Sequence, residues 1–154
     1  MKARTVVSLI CLGLTQTAWA QDTKPNFTGR WEVKSVEADK TIITPPPPLF
    51  MEVEHQEPRL VVDHQTYRTD GKEEVIVYQN TRIKRKAEWQ SNRLIVSTQI
   101  NRGKEMLYTE ETWQLSETGD RLMITRELTG QIKTKVILTY DRVKQARALR
   151  RKGV

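Results

Sequence analysis

Cysteine is all but missing from this chain: Cys11 is the single one among 154 residues. One thiol closes no internal disulfide, so whatever fold forms must hold by packing and hydrogen bonds. Histidine is nearly as scarce, with only His55 and His64. No cysteine–histidine spacing suited to structural zinc exists, no Gly-x-Ser-x-Gly elbow, and no glycine-rich phosphate loop. These gaps exclude thiol chemistry, the nucleophile-elbow hydrolases and the phosphate-loop enzymes. No apolar run approaches the ~20 residues that a membrane-crossing helix needs.

The longest apolar run is Val6 to Leu14, and it follows Lys2 and Arg4. Ala18-Trp19-Ala20 then supplies the small-x-small pattern accepted by signal peptidase. Residues 1–20 are therefore expected to be a signal peptide cut after Ala20, sending the chain to the periplasm or outside the cell. A buried N-terminal helix is the competing reading. Cys11 is preceded by Ile10 and not by the small residue of a lipobox, so it is read as part of the leader. Residues 21–143 are long enough for one sizeable core and are expected to form a single domain.

The net charge of +7 is misleading about partners. Lys2 and Arg4 lie in the leader, and Lys144, Arg147, Arg150, Arg151 and Lys152 lie in a C-terminal stretch without acids. The domain between them is formally neutral, so nucleic acid is not an expected partner. The tail, residues 144–154, is read either as a peripheral contact with an anionic membrane, each base adding about 1 kcal/mol there, or as a solubilising extension.

What the chain has in quantity is alternation. Trp31-Glu32-Val33-Lys34, Leu60-Val61-Val62, Val75-Ile76-Val77-Tyr78, Leu94-Ile95-Val96, Leu122-Met123-Ile124 and Val136-Ile137-Leu138-Thr139-Tyr140 are short, β-branched-rich segments. Asp70-Gly71, Ser91-Asn92, Asn101-Arg102-Gly103, Gly119-Asp120 and Thr129-Gly130 separate them at hairpin spacing. About eight or nine antiparallel strands are predicted, near 29–37, 49–55, 59–67, 72–79, 81–90, 93–100, 105–115, 121–128 and 132–142. Val75 to Tyr78 reads as a strand covered on both faces. An open sheet of this size leaves two aggregation-prone edges, which closure into an up-and-down barrel removes. A two-sheet sandwich is the alternative. Arg59-Leu60, Arg93-Leu94 and Arg121-Leu122 open three strands alike, which is read as shared hairpin chemistry. Pro45 to Pro48 forms a stiff extended segment after the first strand, where a lid or long loop would sit.

Few residues invite a chemical role. His55 and His64 approach each other if 49–55 and 59–67 form a hairpin, but a metal needs a third ligand. Glu54 or Glu57 would have to serve, at a spacing that matches no motif, and solvent-facing histidines are the preferred reading. Glu110 and Glu111 are adjacent on a strand and point to opposite faces. Arg82, Lys84 and Lys86 alternate with Ile83, Arg85 and Ala87; they form either a solvated face or an inward anion site, the former preferred. Tyr67, Tyr78, Trp89, Tyr108, Trp113 and Tyr140 are the candidate lining of a cavity, or else ordinary core. No catalytic residue, metal site or cofactor site is assigned.

Gly29-Arg30-Trp31 at the start of the first strand, with Tyr140-Asp141-Arg142 ending the last, resembles the lipocalin/calycin superfamily. Asn26-Phe27-Thr28 before that motif, and Trp113-Gln114-Leu115-Ser116 with Gly119 and Leu122, are similar to small exported bacterial lipocalin-like proteins. The resemblance implies that Gly29, Trp31 and Arg142 close one end of a barrel, the guanidinium lying over the indole. It also implies a non-catalytic module for a small apolar or amphipathic ligand. The alternative is an envelope interaction protein with a filled barrel, meeting a membrane or protein through its tail or proline segment. An internal void of roughly 300 Å³ or more separates the two.

Overall fold

The computed structural model describes residues 24–39, 47–130 and 133–144. Ten strands follow one another: β1 (Gly29–Ala38), β2 (Phe50–Gln56), β3 (Arg59–Val62), β4 (Gln65–Arg68), β5 (Glu74–Tyr78), β6 (Thr81–Gln90), β7 (Arg93–Arg102), β8 (Glu105–Leu115), β9 (Arg121–Thr129) and β10 (Thr134–Arg142). All belong to one antiparallel sheet ordered β4-β3-β2-β1-β10-β9-β8-β7-β6-β5. The single sheet settles the architecture as an up-and-down barrel and not a two-sheet sandwich. Consecutive strands pair, except β4 with β5, and the first and last strands pair with each other from Trp31↔Arg142 to Ala38↔Val136.

Alternation builds this sheet. On β2 the buried residues are Met51, Val53 and His55, each flanked by exposed neighbours; on β10 they are Thr134, Val136, Leu138 and Tyr140. Because a strand has period two, one parity of every strand points to a common interior. A bulge between Val33 and Ser35 changes the parity of β1 midway. Val33 and Val36 therefore face the same way, opposite Tyr140 and Leu138.

The structure has ten strands where eight or nine are expected, because the segment 59–67 is not continuous. Asp63 adopts a left-handed conformation (φ 48°) and folds β3 back on β4. Aspartate tolerates that region better than most residues. Its backbone N–H donates to Glu52 O at 2.9 Å, and its carboxylate accepts from Glu52 N–H at 2.8 Å.

The barrel has a seam. β4 and β5 end the sheet, and β4 lies against β6 instead. Gly71 N–H donates to Ala87 O at 2.9 Å and ties the β4–β5 connection to β6. β5 is not covered on both faces as its apolar run suggests: Val75 and Val77 share the outer parity of Lys84 and Arg82, Ile76 and Tyr78 face the mouth, and all four are exposed.

The two ends differ. The turns after β2, β6 and β8, the β4–β5 connection and the segment entering β1 gather at one end. There Phe27, Trp31, Leu60, Leu94, Leu122, Ile124, Leu138 and Tyr140 are fully buried. Leu60, Leu94 and Leu122 are the residues that follow Arg59, Arg93 and Arg121, so the repeated Arg-Leu opening places an exposed base and then a closed-end core residue three times. At the other end lie the proline-bearing connection from β1 to β2 and the turns after β3, β5, β7 and β9. Val36, Ile76, Tyr78 and Leu107 share the inner parity there and remain exposed. The molecule is a cup with a filled base and an open mouth.

Candidate functional site

The base is sealed by a small set of residues. The guanidinium of Arg142 lies 4.2 Å above the Trp31 ring, its Nε donates to Gly119 O at 2.8 Å, and its Nη1 donates to Thr28 O. A Cβ on Gly29 would stand 2.7 Å from that Nη1. The glycine of the Gly-x-Trp motif is thus dictated by the arginine above the tryptophan.

Beside this seal sits a carboxylate hub. Phe27 N–H donates to His55 Nδ1 at 3.3 Å, which leaves the imidazole proton on Nε2, donated to Glu57 Oε1 at 2.9 Å. Trp89 Nε1 and Thr69 Oγ1 donate to the same oxygen at 2.8 and 3.0 Å, and Lys24 reaches Oε2 at 3.3 Å. Partial burial pushes the Glu57 carboxyl up, but the bonds from His55, Trp89, Thr69 and Lys24 outweigh it and hold the group below its usual value. Phe27 stacks on His55 and Trp89 at 5.6 and 5.7 Å and meets Trp113 edge-on at 5.8 Å. His55 is therefore a buried structural residue, contrary to the solvent-facing reading. His64 stands in the turn after β3 at the opposite end of the hairpin, so the two histidines do not meet. Among the described residues no group of three or more His, Cys, Asp or Glu is placed to hold a metal.

Midway up the inner wall the chemistry changes. Glu111 accepts from Arg126 Nε at 2.7 Å and from Trp113 Nε1 at 2.8 Å. Across the cup, the Arg85 guanidinium lies 5.2 Å from the centre of the Tyr67 ring and makes no ion pair among the described residues. Burial raises the pKa of both Tyr67 and Tyr140, and each phenol feels Arg126 and Glu111; Tyr67 feels Arg85 as well. Both phenols stay protonated at neutral pH, and Tyr67 donates its proton to Gln65 Oε1 at 2.9 Å. Two guanidiniums, two carboxylates (Glu111, and Glu74 opposite Arg85 in register) and two phenols thus share an inner wall with Ile83, Thr98, Ile100, Leu107, Thr109 and Leu128. At the seam, toward the closed end, Tyr67, Arg68, Lys72, Glu74, Arg85, Lys86 and Ala87 line a shallow surface cleft with no room inside for even a water molecule. It falls far short of the ~300 Å³ expected of an enclosed ligand site.

The aromatic residues singled out from sequence divide among several places. Trp113 and Tyr140 are buried, Trp89 is packed against the base, and Tyr67 belongs to the mid-wall group. Tyr78 stands at the mouth, largely exposed. Tyr108 has the parity opposite to Trp113 and bonds to Glu110 at 3.0 Å on the outer surface. The three bases Arg82, Lys84 and Lys86 face outward, opposite Asn101, Gln99 and Ser97, while Ile83, Arg85 and Ala87 face in. Sequence reasoning missed Arg85, Glu111 and Arg126. Counting by twos from Ala87, Trp113 and Ile124 along their strands would have found all three.

No protein-family model matches the chain, and no curated protein does. Solved structures do. The zebrafish ileal bile acid-binding protein, crystallised with cholic acid, is 18% identical with a TM-score of 0.52, over 76% of this chain and 98% of that one. The fold is an up-and-down β-barrel similar to that of the zebrafish protein. Two secretory abundant heat soluble proteins of Ramazzottius varieornatus also align. Identities are 11% and 17%, each TM-score is 0.49, and coverage is 78% and 77% of this chain against 98% and 96% of theirs. The closing residues and the mid-wall polar group come from this chain's own geometry.

Proposed function

We propose that this protein is an exported, non-catalytic barrel that binds a small amphipathic molecule with an anionic head. The observation that carries the reading is Arg85: an inward guanidinium set over Tyr67 that closes no ion pair among the described residues, although Glu74 stands opposite it in register. A charge left in a partly desolvated wall costs free energy unless something compensates it. A carboxylate or sulfonate head supplies that compensation, with the Tyr140 phenol as a further donor. The apolar part of the ligand runs toward the mouth along Ile83, Ile100 and Leu107, where burial is worth about 25 cal/mol per Å². Likeness to a bile acid-binding protein supports the fold on which this rests; the choice of head group rests on Arg85.

The test is titration with a fluorescent long-chain carboxylate and with its uncharged alcohol analogue. Arg85→Gln is expected to weaken carboxylate binding about 10- to 100-fold, the value of one charge-assisted contact, and to leave the alcohol almost unaffected. Equal affinity for the two heads in the wild type, or no loss in the variant, would overturn the reading. Export is tested by the mass of protein recovered from its compartment, which should start at Gln21.

A further inference from the structure

We propose that the paired tips of the β5–β6 and β7–β8 hairpins form a docking surface for an anionic lipid bilayer. Seven of the eleven large apolar residues exposed among the described residues fall on the outer arms of these two hairpins, β5 and the start of β8. Val77 and Tyr78 are each 69% exposed and Met106 is 62% exposed. The tips are neighbours in space because Thr81 pairs with Arg102 and Arg82 with Asn101. Patches of this kind on a protein that is otherwise polar mark an interaction site.

Charge decides the partner. Arg82, Arg102 and Lys104 flank the apolar residues and make no ion pair among the described residues, whereas Lys84, further down, is held by Glu73 at 3.1 Å. Glu105 is the acid between them, opposite Arg102 in register. On the other side of the mouth the rim carries Glu37, Asp39, Glu52, Asp63 and Glu127, with Lys34, Lys133 and Lys135. In a domain of balanced charge, bases outnumber acids at the hairpin tips that expose the apolar residues, and acids outnumber bases on the opposite rim. Exposed apolar side chains flanked by unpaired bases fit a surface of anionic headgroups over hydrocarbon.

The free backbone of β5 sets the depth. Its outer edge has no ladder partner, and unpaired amides are not tolerated in hydrocarbon. Docking is thus interfacial: the side chains of Val77, Tyr78 and Met106 enter the headgroup layer while the β5 edge stays hydrated. Ile76 and Leu107, on the inner parity of the same arms, continue the apolar surface into the cup.

The experiment is flotation of the full chain with vesicles of phosphatidylglycerol and phosphatidylcholine, joined to hydrogen exchange of residues 75–78 and 104–107. Binding should need phosphatidylglycerol, weaken with salt, and slow exchange at those two segments. Arg82→Gln, Arg102→Gln and Lys104→Gln together should lower partitioning roughly a hundredfold. Met106→Glu, an exposed single change, should weaken it too. Arg85→Gln should leave partitioning unchanged, which keeps this surface separable from the interior site. Loss of binding only when Arg147, Arg150, Arg151 and Lys152 are changed to Gln would overturn the proposal in favour of the tail. Slowed exchange at 75–78 without vesicles, with a dimer in solution, would overturn it in favour of edge-to-edge pairing of two copies.

Discussion

Gly29 shows how one residue can be fixed by another more than a hundred positions away. Its φ is 152°, a conformation that side-chain-bearing residues rarely adopt, and the space where a Cβ would go is taken by Arg142 Nη1. Gly29→Ala must either push the guanidinium off Trp31 or strain the backbone. A loss of about 1–3 kcal/mol is expected, read as a lower urea midpoint at unchanged slope; a midpoint equal to the wild type would show that the stack yields without cost. Glu57 carries a pH signature of known sign. Its folded-state pKa lies below the ordinary value of 4.5, so the hub stabilises the fold above that pH and the benefit is lost as pH falls through the folded pKa. Glu57→Gln should therefore flatten the decline of stability on the acid side of pH 4.5, leaving the curve near neutrality with no added slope. An acid limb as steep as the wild type would mean that other carboxylates govern it. Tryptophan, glycine and arginine were readable as a closing group from their place in the sequence. Glu57 was not, because nothing local distinguishes it from the other exposed acids; its four partners arrive from the N-terminal segment, β2, the β4–β5 connection and β6.

At the scale of elements, period-two patterning located the strands well from β6 onward, where Trp, Leu and Ile mark one parity. It failed at two places for identifiable reasons. Val62-Asp63-His64-Gln65 contains no glycine, so the turn between β3 and β4 is invisible until Asp63 is seen in the left-handed region, bonded to Glu52. Asp63→Val should cost about 1–2 kcal/mol, since a β-branched residue is poorly suited to that conformation, and Asp63→Gly should cost less because only the carboxylate contact is lost. Comparable losses for the two would place the stabilisation in the hydrogen bond and not in the backbone. The second failure is β5. Four consecutive apolar residues signal a buried strand, yet Val75 and Val77 stand on the outer face and Ile76 and Tyr78 face the open mouth. Strand sequence reports what a segment could bury; it does not report whether the sheet closes over it. The interior polar group was missed in a related way, since Arg85, Glu111 and Arg126 look like solvated residues until the parity of their own strands is followed.

The whole molecule divides into a packed base and an unfilled mouth, and this gradient makes a prediction that no single residue makes. The fully buried side chains cluster at the end sealed by Arg142, while the inner residues Val36, Ile76, Tyr78 and Leu107 stay exposed. Local stability follows buried apolar contact. Amides at Leu94, Val96, Ile124 and Leu138 should therefore exchange at the rate of global unfolding, and those of β5 and the turn at Gly103 much faster. Adding a long-chain carboxylate tests the two halves against each other. A ligand whose head meets Arg85 and whose tail lies toward the mouth must slow exchange in the upper parts of β6, β7 and β8. The base gains no new contact, so its amides should slow only by the overall stabilisation that binding gives the folded state. Equal slowing everywhere, or slowing confined to the outer surface near Met106, would place the molecule outside the cup.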